Sequence, residues 1–153
     1  MDNCTIAASS AVAVDTLKAG LRKHVEVTDL SELHWMLGIE IQRDQAAGTV
    51  HLSQHSYINS ILQCFGLDNV KPISTPFDMQ VQLTLEQALA DVAEFVVMRD
   101  VPYCKAVGAL NWAALTTCPD ITFAVSTVAR FSANPGMAHW TAVKQIFRYL
   151  AGT

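Results

Sequence analysis

Few residues of this chain are placed to do chemistry together. Asp2 is a carboxylate at the very N-terminus, with the neutral amide of Asn3 beside it. Taken alone, it reads as a surface acid. His51 and His55 are four apart, a spacing that suits two metal ligands on one helix face. Ser53 interrupts any regular element between them, however, and neither a paired glutamate nor a third ligand follows. His24, His34 and His139 are isolated and read as satisfied surface or core residues. Cys4, Cys64, Cys104 and Cys118 form no CxxC pair, so they read as reduced thiols rather than a zinc site or disulfide framework. There is no glycine-rich phosphate loop, and no Ser, Cys or Thr has a base motif beside it. The residues contain no complete catalytic set and no complete metal site.

The stretch that organises the chain is Leu33 to Ser53. Leu33, Trp35, Leu37, Ile39 and Ile41 fall on alternate positions, with His34, Met36, Gly38, Glu40 and Gln42 between them. A period of two marks a strand with one buried face. Asp44 to Gly48 supplies turn residues, and Val50 and Leu52 resume the apolar face. This predicts a β-hairpin covered by a helix, either that of Leu17 and Leu21 or that of Ile58 and Ile61. Gly38, on the polar side, is open to two readings: close packing against a neighbouring element, or a spot where another backbone, such as a nucleic-acid strand, can approach.

Around the hairpin, Cys4 to Ala8 reads as a short strand. Ser9 or Ser10 can cap a helix carrying Val14, Leu17, Leu21 and Val25. Ser53 can cap a second helix with Tyr57, Ile58, Ile61, Leu62 and Phe65 on one stripe; Gly66 suits its C′ position, and Leu67 can pack back on it. Pro72 and Pro76 hold 71–77 extended. The pattern weakens over 78–101, where a helix from Leu85 to Phe95 is expected inside a variable connection. Three helical stripes follow: Tyr103, Val107, Leu110 and Ala114; then Ile121, Val125, Val128 and Phe131; then Trp140, Val143, Phe147 and Leu150. Asn134-Pro135-Gly136 is a turn between the last two. The expected class is α+β with an all-α C-terminal third.

About half of the 153 residues are apolar, enough for a sizeable core, and the net charge is −4. No apolar run reaches the roughly 18 residues of a membrane span. No secretory signal is evident at Met1, so a cytoplasmic or nuclear location is expected. The charge is uneven. Residues 1–101 carry six Lys/Arg against thirteen Asp/Glu, giving −7; residues 102–153 carry Lys105, Arg130, Lys144 and Arg148 against Asp120 alone, giving +3. The C-terminal third is either a solvated helical surface or a mild phosphate-tracking one.

Five blocks in order, TDLSELHWMLGIEIQR, HLSQHSYINSILQCFGL, ISTPFD, PYCKAVGALNWAALTTCPDITFAVSTVARFSANP and HWTAVKQIFRYLAGT, resemble the reverse transcriptase of copia-type retrotransposons. The resemblance covers nearly the whole chain. It implies a C-terminal palm piece with a primer-grip-like hairpin and following helix over 1–77, a variable connection over 78–101, and helical thumb segments over 102–153. The fold implied is a small palm-like sheet with its hairpin packed on helices, then a thumb-like bundle. The family's Tyr-x-Asp-Asp turn would end at Asp2, with Asn3 in place of the second aspartate and the tyrosine outside the chain. Its chemistry, nucleotide addition by two Mg²⁺ ions, needs anionic oxygen ligands, one of them from an upstream palm region. Cys104 and Cys118 stand where the family usually has arginine.

The resemblance places the primer grip at Trp35, Met36, Leu37, Gly38, Ile39 and Glu40, and phosphate contacts at Lys105, Arg130, Lys144 and Arg148. The implied partners are an RNA/DNA primer–template and the fingers, upstream palm and RNase H parts of a polyprotein. Parent activity is RNA-directed DNA polymerisation; this chain is not expected to polymerise or to hold Mg²⁺ by itself. The alternatives are a weak primer–template-binding module without catalysis, and a decayed remnant with only a structural or interaction role.

Overall fold

The computed structural model describes residues 4–88 and 92–153. It is α+β: among the described residues, one three-stranded antiparallel sheet and six α-helices. The order is α1 (Ala11–Leu21), β1 (Trp35–Met36), β2 (Ile39–Asp44), β3 (Thr49–Ser53), α2 (His55–Cys64), α3 (Val92–Met98), α4 (Tyr103–Thr116), α5 (Thr122–Ala129) and α6 (Met137–Leu150). Single 3₁₀ turns at Leu85–Gln87 and Pro119–Ile121 precede α3 and α5. No helix among the described residues is long and apolar enough to cross a membrane.

The core is built by α2, α4, α5 and α6. Tyr103, Val107, Leu110 and Ala114 on α4 are buried, as are Ile121, Val125, Val128 and Phe131, and Val143, Phe147 and Leu150 on α6. These are the stripes that helical spacing predicts, and the apolar effect explains why they meet. Alanines between the large residues (Ala106, Ala113, Ala124 and Ala142) are also buried and let the helices approach. Most polar groups inside find a partner, although Gln54 Nε2 is buried without one. Tyr103 Oη donates to the Val128 carbonyl at 2.8 Å, tying α4 to α5. Burial pushes the Tyr103 hydroxyl up to about 12, so it stays a donor. Tyr57 Oη donates to the Ala109 carbonyl at 3.0 Å, and Phe65 packs on Phe147 with ring centroids 5.1 Å apart; both dock α2 on the later helices. Gly66 ends α2 at φ +66°, and the Leu67 N–H reaches the Leu62 carbonyl at 2.8 Å.

The N-terminal part departs from expectation. Cys4 to Ala8 forms no strand. Ser10 caps α1 through the Ala13 N–H at 3.3 Å, but no α1 residue is buried. The sheet is likewise uncovered: Trp35 and Leu37, both expected inside, are 53% and 64% exposed. Two physical reasons account for this. First, Leu33 to Gln42 is not one strand, because Leu37 and Gly38 take φ +54° and +79° and form a two-residue turn between β1 and β2. Second, the apolar stripe of α2 is already taken up by the C-terminal helices. Among the described residues, none before Gln54 is buried.

The expected helix from Leu85 to Phe95 is replaced by the turn at Leu85–Gln87 and by α3; residues 89–91 lie outside the described residues. Thr84 to Gln87 is clasped onto the start of α6. His139 is fully buried and stacked 4.0 Å from Phe131. Its Nδ1 accepts the Gly136 N–H at 2.8 Å, and Nε2 donates to the Thr84 carbonyl at 3.1 Å. Histidine thus serves at the third helical position, where Glu or Gln usually reaches back to the N-cap. Gly136 must lack a side chain, since a Cβ there would overlap the Gln87 carbonyl oxygen.

Two predictions follow from this packing. Leu110 is fully buried whereas Ile39 is only partly covered. Leu110→Ala should therefore cost about 2–5 kcal/mol and Ile39→Ala about 1 kcal/mol or less, read as denaturant midpoints at constant m. An equal loss at Ile39 would place it in the core. The clasp should also be acid-sensitive. Burial lowers the His139 pKa below its ordinary 6.5, partly offset by the Thr84 hydrogen bond. The unfolded chain then binds the proton more readily than the folded one. The clasp's stabilisation is complete above pH 6.5 and is lost as pH falls toward the depressed folded value. His139→Gln should flatten that part of the stability–pH curve; an unchanged curve would show that the ring does not control it.

Candidate functional site

Asp2 and Asn3, the positions matched to the catalytic turn, lie outside the described residues. The segment just after them runs beside the hairpin, where Thr5 Oγ1 lies 3.0 Å from Met36 Sδ. Asn3 offers a neutral amide where a hard cation takes a carboxylate, so the residues of this chain do not fit a two-metal centre. Among the described residues, no three His, Cys, Asp or Glu side chains are grouped to hold a metal ion. His51 lies on β3 and His55 on α2, so they do not share the helix face that their spacing suggested.

The hairpin residues are brought together, but not in the expected alternation. Trp35 pairs with Glu40, and Met36 with Ile39. Ile41 pairs with Leu52, and Arg43 with Val50. Opposed residues point to one side, so Met36, Ile39, Ile41, Val50 and Leu52 share an apolar face. Trp35 falls on the opposite face with Glu40, Gln42 and His51. The turn at Leu37–Gly38 causes the swap: it reverses the chain, so counting by two no longer identifies a face. Glu40 accepts a hydrogen bond from Gln42 Nε2 at 2.9 Å. Gly38 is not a packing glycine, because a Cβ would meet nothing within 4 Å; the turn needs it for its positive φ. Leu37 holds the left-handed conformation with its side chain largely in solvent, an uncommon combination for a bulky residue. At the far turn, Asp44 Oδ1 accepts the Ala46 and Ala47 N–H groups, and Gly48 takes φ +66°.

The four basic candidates do not form one group. Lys105 is exposed in the first turn of α4, and Arg130 is exposed at the end of α5, its guanidinium 5.8 Å above the Phe131 ring. The two ends are neighbours, since Cys104 Sγ lies 3.3 Å from the Ser132 carbonyl. Lys144 and Arg148 are one turn apart on α6 and share a face. Arg148 Nε donates to the Lys71 carbonyl at 3.0 Å, which brings in a cation that helical periodicity gave no reason to choose. Ion pairs form elsewhere, from Lys18 and Arg22 to Asp29 and from Arg99 to Asp100; none of the four candidates has one among the described residues.

A family model described as reverse transcriptase (RNA-dependent DNA polymerase) matches residues 1–79, just over half the chain. All 153 residues are 39% identical to a segment of the retrovirus-related Pol polyprotein from transposon TNT 1-94 of Nicotiana tabacum, covering 12% of that protein. The chain is 32% identical over its whole length to the corresponding polyprotein from transposon RE2 of Arabidopsis thaliana, covering 10% of it. It is also 30% identical throughout to an uncharacterized mitochondrial protein of Arabidopsis thaliana, covering 60% of that protein. No solved structure matches. The chain spans about a tenth of the length of the two polyproteins. With the family model over its first half and retrotransposon polyproteins aligned along its whole length, this chain belongs to the reverse transcriptase (RNA-dependent DNA polymerase) family and corresponds to part of a retrotransposon Pol polyprotein.

Proposed function

We propose that the chain is a C-terminal palm and thumb piece of a copia-type reverse transcriptase, inactive alone and able to contact primer–template weakly. The supporting observation is the exposed hairpin, whose strained Leu37–Gly38 turn projects from the sheet ahead of a self-contained helical core. In this reading 1–77 is the partial palm, with Trp35 to Glu40 as the primer-grip element. Residues 78–101 form the connection, and 102–153 form the thumb segment carrying Lys105, Arg130, Lys144 and Arg148. The parent enzyme would supply fingers, the upstream palm carboxylate and an RNase H domain, and Mg²⁺ would act there on the 3′-oxygen and triphosphate. No step is assigned to Asp2, because its neighbour Asn3 cannot complete the ligand pair.

A second reading, an interaction role without nucleic acid, is favoured by the incompletely covered apolar face of Met36, Ile39, Ile41, Val50 and Leu52, of which the last two are exposed.

Primer extension tests the first reading. The purified chain should give no template-dependent incorporation on an RNA template with Mg²⁺ or Mn²⁺. Asn3→Asp should not rescue it, because a second ligand set is still missing. Incorporation above a no-protein control would overturn the assignment of an inactive piece.

A further inference from the structure

We propose that the outer edge of β3 pairs with the same strand of a second copy of this chain, antiparallel about a two-fold axis at His51, so that two three-stranded sheets join into one. The inference goes beyond both readings above, because it concerns main-chain groups of the strand edge and holds with or without nucleic acid. Among the described residues β3 pairs only with β2, and its other side has no strand partner. Thr49, Val50, His51 and Leu52 are all exposed, Val50 and Leu52 by 56% and 54%. One hydrogen bond fixes where the edge groups point. The Ile41 N–H donates to the His34 carbonyl at 2.8 Å, on the β1 side. Main-chain groups alternate sides along a strand, so those of Gln42 face β3, and those of its partner His51 face back to β2. The N–H and C=O groups of Val50 and Leu52 therefore point outward from the edge of the sheet.

An open edge of this kind is a template for another strand. β3 lacks the usual guards against it, since Thr49 to Ser53 holds no Lys, Arg, Asp, Glu or Pro. The order of its side chains selects a second copy as the occupant. Read from His51 in either direction, the strand runs apolar and then hydroxyl: Val50 and Thr49 one way, Leu52 and Ser53 the other. A two-fold axis at His51 sets Val50 opposite the partner's Leu52 and Thr49 opposite the partner's Ser53, pairs that stabilise a sheet. The outward groups of Val50 and Leu52 then hydrogen-bond across the axis. His51 faces the partner's His51 in a non-hydrogen-bonded pair, with about 4.5 Å between Cα atoms. Val50 and Leu52 of each copy cover one another, which leaves less apolar surface in water. Charged side chains do not meet across the axis. Glu40, Arg43 and Asp44 lie on β2, three strand spacings or roughly 14 Å from their symmetry mates. That exceeds the ~10 Å screening length at 0.1 M salt. The net charge of −4 on each copy and the five-residue contact keep the dimer weak and transient. The contact is the same patch on both copies, so it closes at two.

The test is sedimentation velocity of the full chain from roughly 1 µM to 1 mM. The wild type should pass from monomer to dimer across that series. His51→Lys and His51→Glu each set like charges opposite at the axis and should weaken the dimer by about fivefold. An equal mixture of the two variants sets lysine against glutamate and should restore dimerisation at least to wild-type strength. Val50→Pro removes an outward donor that β2 does not use, so it should abolish the dimer and leave the monomer's melt in place. If Val50→Pro unfolds the sheet, the two His51 variants carry the result, with circular dichroism melts verifying their folding. A wild type that stays monomeric throughout would overturn the proposal and leave the edge to a strand of another protein. Dimerisation that neither His51 variant weakens, or that their mixture does not restore, would place the contact elsewhere and overturn it. Assembly that grows beyond two copies would mean head-to-tail pairing of β3 with β1, and would overturn the two-fold register.

Discussion

Close packing among α4, α5 and α6 is the constraint on which the rest of the structure depends. Each helix presents large residues at intervals of three and four, with alanines filling the positions between. Phe147, Leu110 and Ile146 are fully buried. Side chains of that kind each contribute roughly 1.5–3 kcal/mol on leaving water. Because the stripes are complete, α2 joins them rather than covering the sheet. The connection before α3 is drawn onto the same body by His139 and by the missing side chain of Gly136. The helical half is thus closed on itself by packing and by directional hydrogen bonds at its edges.

The N-terminal half has no such closure. Its internal ties are short-range: the β2–β3 ladder, the Asp44 turn, and the ion pairs from Lys18 and Arg22 to Asp29. Those ion pairs are solvent-accessible and contribute little. The apolar side of the sheet and the stripe of α1 are only partly covered; both lie within the residues that the reverse transcriptase family model matches, which also take in α2.

Charge separates the halves in the same direction. The acidic excess lies in the first 101 residues, and the cations of 102–153, which have no ion pair among the described residues, sit on the packed helices. They stand at two separate places, Lys105 near Arg130 and Lys144 one turn from Arg148 on α6. The total of −4 still repels polyanions at long range, and salt screens that repulsion beyond about 10 Å at 0.1 M.

The sequence by itself determined the helical stripes of α2, α4, α5 and α6, the C′ glycine after α2, the Asp44–Gly48 turn, the α+β class and the family. These are properties of local periodicity, turn chemistry and motif order, all carried by neighbouring residues. Tertiary structure decided the rest. Alternation from Leu33 to Ile41 could not show that the chain turns at Leu37–Gly38, because a turn with positive φ at a leucine breaks the local rule. Nor could apolar patterning show which partner α2 would choose when two surfaces competed for one stripe. His139 and Arg148 find their hydrogen-bond partners 55 and 77 positions away along the chain. Contacts at that separation are set by how the helices pack, and no spacing within a single element encodes them.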